Sequence, residues 1–247
     1  EMSASLVGSE MCIRDSLRIS ASPTDSFTLT GKIVRVDTDG RYAAVCDYKT
    51  GSPKLSLNEI MEGLSLQLIT YLLALSKTKD TKDLLPAAMM YIYLHGRPKS
   101  ISVPPNGIPH AKEKENTNGI FLNDPDVLRT LDSQSGTDDG FIGVSYVKDG
   151  SVKKTSPVLT AEQFEALKAL TEKILIRLYS RLESGEIAIH PVKNGTLSPC
   201  SYCPYRSICR FDPALPENSF DYISKVSDKT IREKLDEEMK RNGKENL

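Results

Sequence analysis

The tightest constraint in this sequence is a strand–turn–strand pattern near its beginning. Residues 27–36 favour strand, Asp39-Gly40 is a strong two-residue turn signal, and residues 41–48 form a second strand-like run. Such a turn needs the left-handed backbone that glycine adopts readily, and it leaves the flanking runs antiparallel. The sequence therefore predicts a β-hairpin from Phe27 to Tyr48, with Thr38 facing Arg41.

Helical and strand-like segments alternate after this hairpin. Residues 64–76 carry leucines at helical spacing, and residues 87–94 form a short apolar run typical of a buried strand. Residues 101–140 are broken by prolines and glycine, which predicts a long excursion with one short helix near residues 126–131. We therefore expect an α/β arrangement in which the first helix packs on the hairpin.

Two further signals come before the cysteine-rich end. Asp149-Gly150 predicts a second hairpin, and Thr160 with Gln163 forms a capping box that opens a long helix ending at Gly185. Three cysteines then follow within residues 200–209. One α/β domain with a small cysteine-bearing appendage is the predicted organisation.

Both ends of the chain are interpreted as peripheral to the fold. Residues 1–16 are interpreted as a non-native leader, because SLVGSEMCIRDS at 5–16 resembles translated sequencing-adapter sequence; a native loop-and-helix leader is the alternative. Glu1 is not a start residue, so we expect a fragment of a longer protein. The dense alternating charge of residues 228–247 predicts a solvated helix that frays into a tail.

Composition narrows the class of protein. The 32 basic and 33 acidic residues give a net charge of −1, so nucleic-acid binding would need local patches rather than an overall field. No apolar run is long enough to cross a bilayer, and a signal peptide is not apparent, so we expect a soluble, cytoplasmic protein. In that compartment, clustered cysteines favour metal binding over disulfides.

The end of the second hairpin strand carries a candidate catalytic pair. Asp47 and Lys49 lie two residues apart on a strand and therefore project from the same face. A carboxylate there can ligate Mg²⁺, while the ammonium orients water or offsets charge that develops on a phosphate. A solvated charge pair on an exposed strand is the alternative, because such triplets also occur by chance.

The cysteine spacing C-x2-C-x5-C is typical of a soft-metal site. Cys200, Cys203 and Cys209 place three thiolates in one compact segment, which suits zinc or an iron–sulfur cluster. Zinc and an iron–sulfur cluster both normally require a fourth ligand. His190 would complete a Cys₃His zinc site, although it is equally a loop histidine, and Cys46 is expected to be a small buried hydrophobe.

Four segments of the sequence together resemble a known family. GKIVRVD (31–37), VCDYKTG (45–51) and QLITY (67–71) are similar to the motifs of RecB-family nucleases of the PD-(D/E)XK superfamily. CSYCPYRSICRFD (200–212) resembles the iron–sulfur staple of AddB-type helicase–nuclease subunits. The resemblance runs in order and spacing over about residues 17–228.

The resemblance implies a fold and a function. It implies a restriction-endonuclease-like core, a mixed sheet flanked by helices, over residues 17–190, with a cysteine-rich staple at 191–215 and a charged tail at 216–247. The implied function is Mg²⁺-dependent exonuclease digestion of DNA in double-strand-break repair, beside an AddA-like helicase–nuclease partner. A degenerate nuclease fold that binds DNA or acts as a scaffold is the alternative.

The resemblance also implies catalytic and ligand roles for individual residues. Asp47 is the implied Mg²⁺ ligand and Lys49 its catalytic partner, while Gln67 positions the attacking water or the substrate and Tyr71 supports Gln67. The three staple cysteines would hold a [4Fe–4S] cluster whose fourth ligand comes from an upstream cysteine, with zinc as the alternative. Without the family context, Gln67 and Tyr71 would be two polar residues on a solvated helix face.

One position departs from the family. Where these nucleases carry an aspartate on the first hairpin strand, this sequence has Val34. In the expected register Lys32 faces Asp47, and Val34 is the diagonal neighbour of Asp47 on the same face. Asp37 lies an odd number of residues from Val34 and points to the opposite face unless a bulge intervenes. We therefore expect a weak or inactive nuclease.

Overall fold

The computed structural model describes residues 13–51, 53–94, 98–102, 110–113, 117–137, 140–216 and 218–245. Its strands are β1 (Ile13–Ser20), β2 (Ser26–Ile33), β3 (Arg35–Thr38), β4 (Tyr42–Lys49), β5 (Leu85–Tyr93), β6 (Pro98–Ser102), β7 (His110–Glu113), β8 (Thr117–Leu122), β9 (Val158–Leu159), β10 (Val192–Lys193) and β11 (Asp221–Tyr222). Its helices are α1 (Leu57–Met61), α2 (Gln67–Lys77), α3 (Pro125–Leu131), α4 (Ala161–Glu183), α5 (Arg206–Cys209) and α6 (Asp228–Glu245), with a 3₁₀ turn at Pro199–Ser201.

A mixed five-stranded sheet in the order β3-β4-β5-β8-β9 forms the centre of the fold. The β4–β5 and β8–β9 pairs are parallel, whereas β3–β4 and β5–β8 are antiparallel. Residues 43–47 of β4 and 86–91 of β5 are buried on both faces of the sheet, which explains their near-continuous apolar sequences. Helices α2 and α4 both contact β5, and α2 also contacts β4.

The predicted first hairpin differs from the observed one in two ways. The chain leaves the strand conformation at Val34, so β2 pairs with β1 in a separate sheet and only β3 pairs with β4. Thr38 faces Ala43 rather than Arg41, which shifts the predicted register by two residues.

The physical reason for that shift lies in the turn. Asp39 Oδ1 accepts hydrogen bonds from the backbone N–H groups of Arg41 and Tyr42 at 2.9 and 2.7 Å, and Thr38 Oγ1 accepts one from Gly40 N at 3.0 Å. These side chains accept hydrogen bonds from backbone N–H groups that would pair between the two strands if the turn had only two residues. Because the slip is an even number of residues, each side chain keeps its predicted face.

The β1–β2 pair packs against α2 and α4 through its own apolar cluster. Leu17 and Ile19 of β1 are buried with Leu73, Ala74 and Leu175. Residues 13–16, which fall inside the predicted leader, belong to β1 and pair with β2. Residues 1–12 lie outside the described residues.

Several predicted elements are confirmed. Helix α2 and strand β5 lie where the apolar patterns indicate, and α3 is the short helix expected within residues 101–140. Helix α4 begins with the predicted capping box, in which Gln163 N donates to Thr160 Oγ1 and Thr160 N donates to Gln163 Oε1. Among the helices of the described ranges, none has the length and apolar character needed to cross a membrane.

Three regions differ from the sequence-based expectation. The proline-rich segment 101–140 contains β8, an interior strand of the sheet. The second predicted hairpin is reduced to a single bridge between Tyr146 and Val152. The charged end forms α6, which docks on α4 with Ile231 and Leu235 buried. These two apolar residues lie four positions apart on one face of the helix, and the Glu238–Lys173 ion pair adds a polar contact to α4.

Gly119 in β8 allows the close approach of β8 to β5, where it pairs with Met90. A Cβ at this position would lie 2.5 Å from Met90 Cβ and 2.7 Å from the Met89 carbonyl oxygen. We predict that Gly119→Ala lowers the free energy of unfolding by about 1–3 kcal/mol, as overpacking of a core does. Urea denaturation measures it, with Gly51→Ala as the control because a Cβ there meets nothing closer than 3.9 Å. Equal stability of the two variants would contradict this account of the β5–β8 contact.

Candidate active site

Asp47 and Lys49 lie at the end of β4 and form an ion pair on the face of the sheet that α2 covers. Lys49 Nζ is 2.6 Å from Asp47 Oδ2, and the side chains are 30% and 6% exposed. The contact lacks hydrogen-bond geometry, so the buried Oδ2 has no hydrogen-bond partner among the described residues. The shared face predicted from strand alternation is therefore observed, and the pair is not a solvated one.

Gln67, the first residue of α2, joins this pair. Lys49 Nζ donates to Gln67 Oε1 at 3.0 Å, and Gln67 Nε2 lies 3.5 Å from Asp47 Oδ1. Because lysine can only donate, the Gln67 amide must turn its oxygen toward Lys49, which leaves its nitrogen facing Asp47. The three side chains form one connected group at the C-terminal end of β4.

Tyr71 lies one helical turn after Gln67 and holds it from the other side. Gln67 Nε2 donates to Tyr71 Oη at 3.1 Å, and Tyr71 Oη donates to the Lys32 carbonyl at 3.1 Å. The hydroxyl thereby ties α2 to the end of β2, just before Val34. The structure thus brings all four predicted catalytic residues together.

Tyr91 is a neighbour of the site that the sequence analysis missed. It pairs directly with Asp47 in the parallel β4–β5 ladder, and the Lys49 ammonium lies 5.1 Å from the centre of its ring. Burial raises the pKa of Tyr91, an effect that the Lys49 charge opposes and the Asp47 charge reinforces. A cation over an aromatic face is attracted to it, so Tyr91 helps to hold the ammonium in place.

Val34 lies between β2 and β3, directly before the Arg35–Cys46 pair that ends the β3–β4 ladder. An extension of that ladder by one residue would set Val34 directly opposite Asp47, whereas the sequence predicts a diagonal neighbour. Its side chain is 40% exposed and offers no metal ligand. Asp37 does not replace it, because it forms an ion pair with Arg35 at 2.7 Å on the face that carries Cys46.

A metal ion at this site would depend on Asp47. Its buried Oδ2 accepts no hydrogen bond, although the Lys49 ammonium lies 2.6 Å away, and hard oxygen donors of this kind suit Mg²⁺. The described residues contain no group of three His, Cys, Asp or Glu side chains placed to hold a metal ion. The site would therefore offer Mg²⁺ one protein carboxylate, and water and substrate oxygens would have to supply the other ligands.

The three clustered cysteines lie on the segment between β10 and β11. Cys200 and Cys203 are half-buried, Cys209 at the end of α5 is exposed, and all are free thiols. Although they share one compact segment, they are not gathered into a ligand group in the described structure, so the predicted staple is not shown.

The alternative ligands, His190 and Cys46, form no ligand group with these thiols in the part of the chain that the structure describes. His190 Nδ1 lies 3.1 Å from Ser219 Oγ, so its ring has a partner other than a thiol. Cys46 is fully buried on the face of β4 opposite Asp47, and burial raises the pKa of its thiol to about 12. The interpretation of Cys46 as a small buried hydrophobe is confirmed.

The geometry agrees with comparisons to known proteins. Residues 3–210 match the PD-(D/E)XK nuclease superfamily. The chain belongs to this nuclease superfamily. The mixed sheet flanked by helices is the predicted fold class, which is thereby confirmed.

Three curated relatives of this nuclease are each named as an ATP-dependent helicase/deoxyribonuclease subunit of the B type. The protein of Clostridium kluyveri is 34% identical over 84% of this chain and 19% of its own length. Those of Clostridium acetobutylicum and Desulforamulus reducens are 32% and 33% identical over 88% and 82% of this chain, and 20% and 18% of their own lengths. The chain thus spans about a fifth of the relatives it matches.

The position of Val34 beside the candidate site can be tested by substitution. We predict that Val34→Asp places a second carboxylate opposite Asp47, which tightens Mg²⁺ binding by about tenfold, or about 1.4 kcal/mol. Because a ligand that binds only the folded state stabilises it, Mg²⁺ should raise the Tm of this variant more than that of the wild type. Val34→Asn is the control, since it has the same shape without the charge. The same Mg²⁺-induced Tm change in all three proteins would contradict the placement of Val34.

Proposed function

We propose that this chain is the nuclease part of an AddB-like helicase–nuclease subunit and hydrolyses DNA phosphodiester bonds with Mg²⁺. The convergence of Asp47, Lys49 and Gln67 at the end of β4 carries the proposal. The names of the relatives, which describe helicase/deoxyribonuclease subunits, support DNA as the substrate. An AddA-like helicase–nuclease partner, a role in double-strand-break repair and a cytoplasmic location belong to the same proposal.

Each residue of the site has a distinct role in the proposed hydrolysis. Asp47 is the carboxylate that would hold Mg²⁺, and the metal, when bound, would supply Lewis-acid polarisation of the phosphate. Lys49 stabilises negative charge that develops on the phosphate oxygens, and the Tyr91 ring helps to hold its ammonium. Gln67 accepts from Lys49 and so fixes the ammonium relative to Asp47. Tyr71 anchors Gln67 through the Lys32 carbonyl.

Loss of the catalytic pair tests this proposal. We expect Asp47→Ala and Lys49→Ala each to lower Mg²⁺-dependent degradation of linear DNA by about 10²–10³-fold, because each removes charge from the reaction site. Asp37→Ala is the matched control, since Asp37 lies on the same hairpin but on the opposite face. Chelation of Mg²⁺ should abolish cleavage by the wild type. Cleavage that persists unchanged in Asp47→Ala would refute the assigned site.

Val34 favours a second candidate function, that of a degenerate nuclease which binds DNA or supports its complex without cutting. A single carboxylate seldom holds Mg²⁺ well unless substrate phosphates help. On this account the wild type binds DNA ends but leaves them intact at every Mg²⁺ concentration, and Val34→Asp restores cleavage. Cleavage by the wild type that Asp47→Ala removes would decide for the enzyme.

We also propose that Cys200, Cys203 and Cys209 ligate a [4Fe–4S] cluster with a fourth ligand outside this chain. The support is their spacing, their free and partly exposed thiols, and the poor burial of their segment, where Tyr202 and Ile208 are 81% and 80% exposed. A ligand that binds only the folded state would stabilise such a segment. Zinc is the alternative metal.

Anaerobic reconstitution with iron and sulfide tests the cluster. In the parent protein that carries the fourth ligand, we expect iron incorporation with broad visible absorption, and loss of both in Cys203→Ser because one terminal thiolate ligand is missing. Cys46→Ser should incorporate iron normally, since Cys46 is buried away from the segment. Elemental analysis that finds stoichiometric zinc and no iron would establish the zinc alternative, and absence of both metals would refute a metal site.

A further inference from the structure

Helix α1 is hydrogen-bonded to both ends of the cysteine-bearing segment. Asn58 Nδ2 donates to the Ser224 carbonyl at 2.9 Å, and Asn194 Nδ2 donates to Glu59 Oε1 at 3.1 Å. Asn194 directly follows β10, and Ser224 lies just beyond β11. Two adjacent residues of α1 therefore hold the two ends of residues 194–224, which contain all three clustered cysteines.

The second oxygen of Glu59 has a different partner. Ser65 Oγ donates to Glu59 Oε2 at 2.8 Å. Ser65 has φ of +49°, and within the described ranges only Arg210 is another non-glycine residue with positive φ. This left-handed conformation is unfavourable for a residue with a Cβ, so it persists only where its surroundings hold it. The Glu59 carboxylate is the group that holds the Ser65 side chain.

The Ser65 turn determines where α2 begins. Leu66 is the N-cap of α2 and provides no side-chain cap, and Gln67 is the first residue of the helix. Since no capping side chain fixes this end, the preceding turn sets the position of Gln67. Gln67 in turn contacts Lys49 and Asp47.

We propose that Glu59 is a positioning residue that links the cysteine-bearing segment to the catalytic site. The path runs from Asn194 through the Glu59 carboxylate to Ser65, and from there along the backbone to Gln67. Asn194, at the start of the cysteine-bearing segment, holds Glu59 in place, and Glu59 holds the start of α2 through Ser65. The inference rests on the proposed nuclease function for its catalytic consequence, but its structural content stands independently.

NMR on the ¹⁵N-labelled chain tests the link without any reaction. The probes are the side-chain amide signal of Gln67, assigned by its loss in Gln67→Leu, and hydrogen exchange at Leu64 N and Thr70 N, which donate to the carbonyls of Glu59 and Leu66. We expect Glu59→Ala and Asn194→Ala to shift the Gln67 signal and to speed exchange at both amides. Glu62→Ala is the matched control, because Glu62 is an exposed glutamate at the end of the same helix. An unmoved Gln67 signal in Glu59→Ala would overturn the inference.

Two further variants separate positioning from other roles of Glu59. Ser65→Gly in the Glu59→Ala background should restore the Gln67 signal, because glycine adopts positive φ without a side chain to hold it. Glu59→Gln keeps an oxygen acceptor and should resemble the wild type, including its Mg²⁺ requirement. A Glu59→Gln variant that loses Mg²⁺ affinity would show that Glu59 is a metal ligand instead and overturn the positioning role.

Kinetics on DNA completes the test. We expect Glu59→Ala to lower kcat by about 10–100-fold with little change in KM, since a small displacement of a positioned group reduces turnover rather than binding. A changed KM with an unchanged kcat would contradict a role through Gln67. If the wild type does not cleave DNA at all, the proposed function fails, whereas the NMR result still decides whether Glu59 positions Gln67.

Discussion

A buried carboxylate organises this molecule. Asp47 lies in the interior strand β4 with its side chain only 6% exposed, and removing a carboxylate from water costs several kcal/mol unless a partner compensates. Lys49 supplies the charge and Gln67 orients the lysine. Lys49 belongs to β4 itself and Gln67 is the first residue of α2. The site therefore requires that the start of α2 lies against the C-terminal end of β4.

The local parts of the site could be predicted from sequence, because they follow the fixed side-chain periodicity of strands and helices. Asp47 and Lys49 share a face since strand side chains alternate, and Gln67 and Tyr71 share a face since they lie four residues apart on a helix. The β3–β4 register was not predictable in the same way, because the side-chain hydrogen bonds of Asp39 widen the turn. Because the slip is an even number of residues, the residues of β3 keep their predicted faces, whereas Val34 lies outside the ladder.

The non-local parts were missed for a common reason: they depend on which distant segments pair. Tyr91 reaches the site through the parallel register of β5 with β4, and no period in the sequence encodes that alignment. Strand β8 has a glycine at its centre, which argues against a strand locally, yet burial between β5 and β9 outweighs that preference. The Glu59–Asn194 contact joins residues 135 positions apart.

The charge balance at the site connects Val34 to the choice between enzyme and scaffold. Asp47 and Lys49 neutralise each other, and Val34 adds no charge opposite them, so the immediate site has little net negative potential to attract Mg²⁺. On the proposed function, phosphate oxygens of bound DNA would bring the missing negative charge and the missing ligands together. Metal and substrate binding would then be thermodynamically linked, and each would strengthen the other by the same factor. A site with a second carboxylate would bind the metal before DNA, whereas at this site the substrate would complete the set of metal ligands.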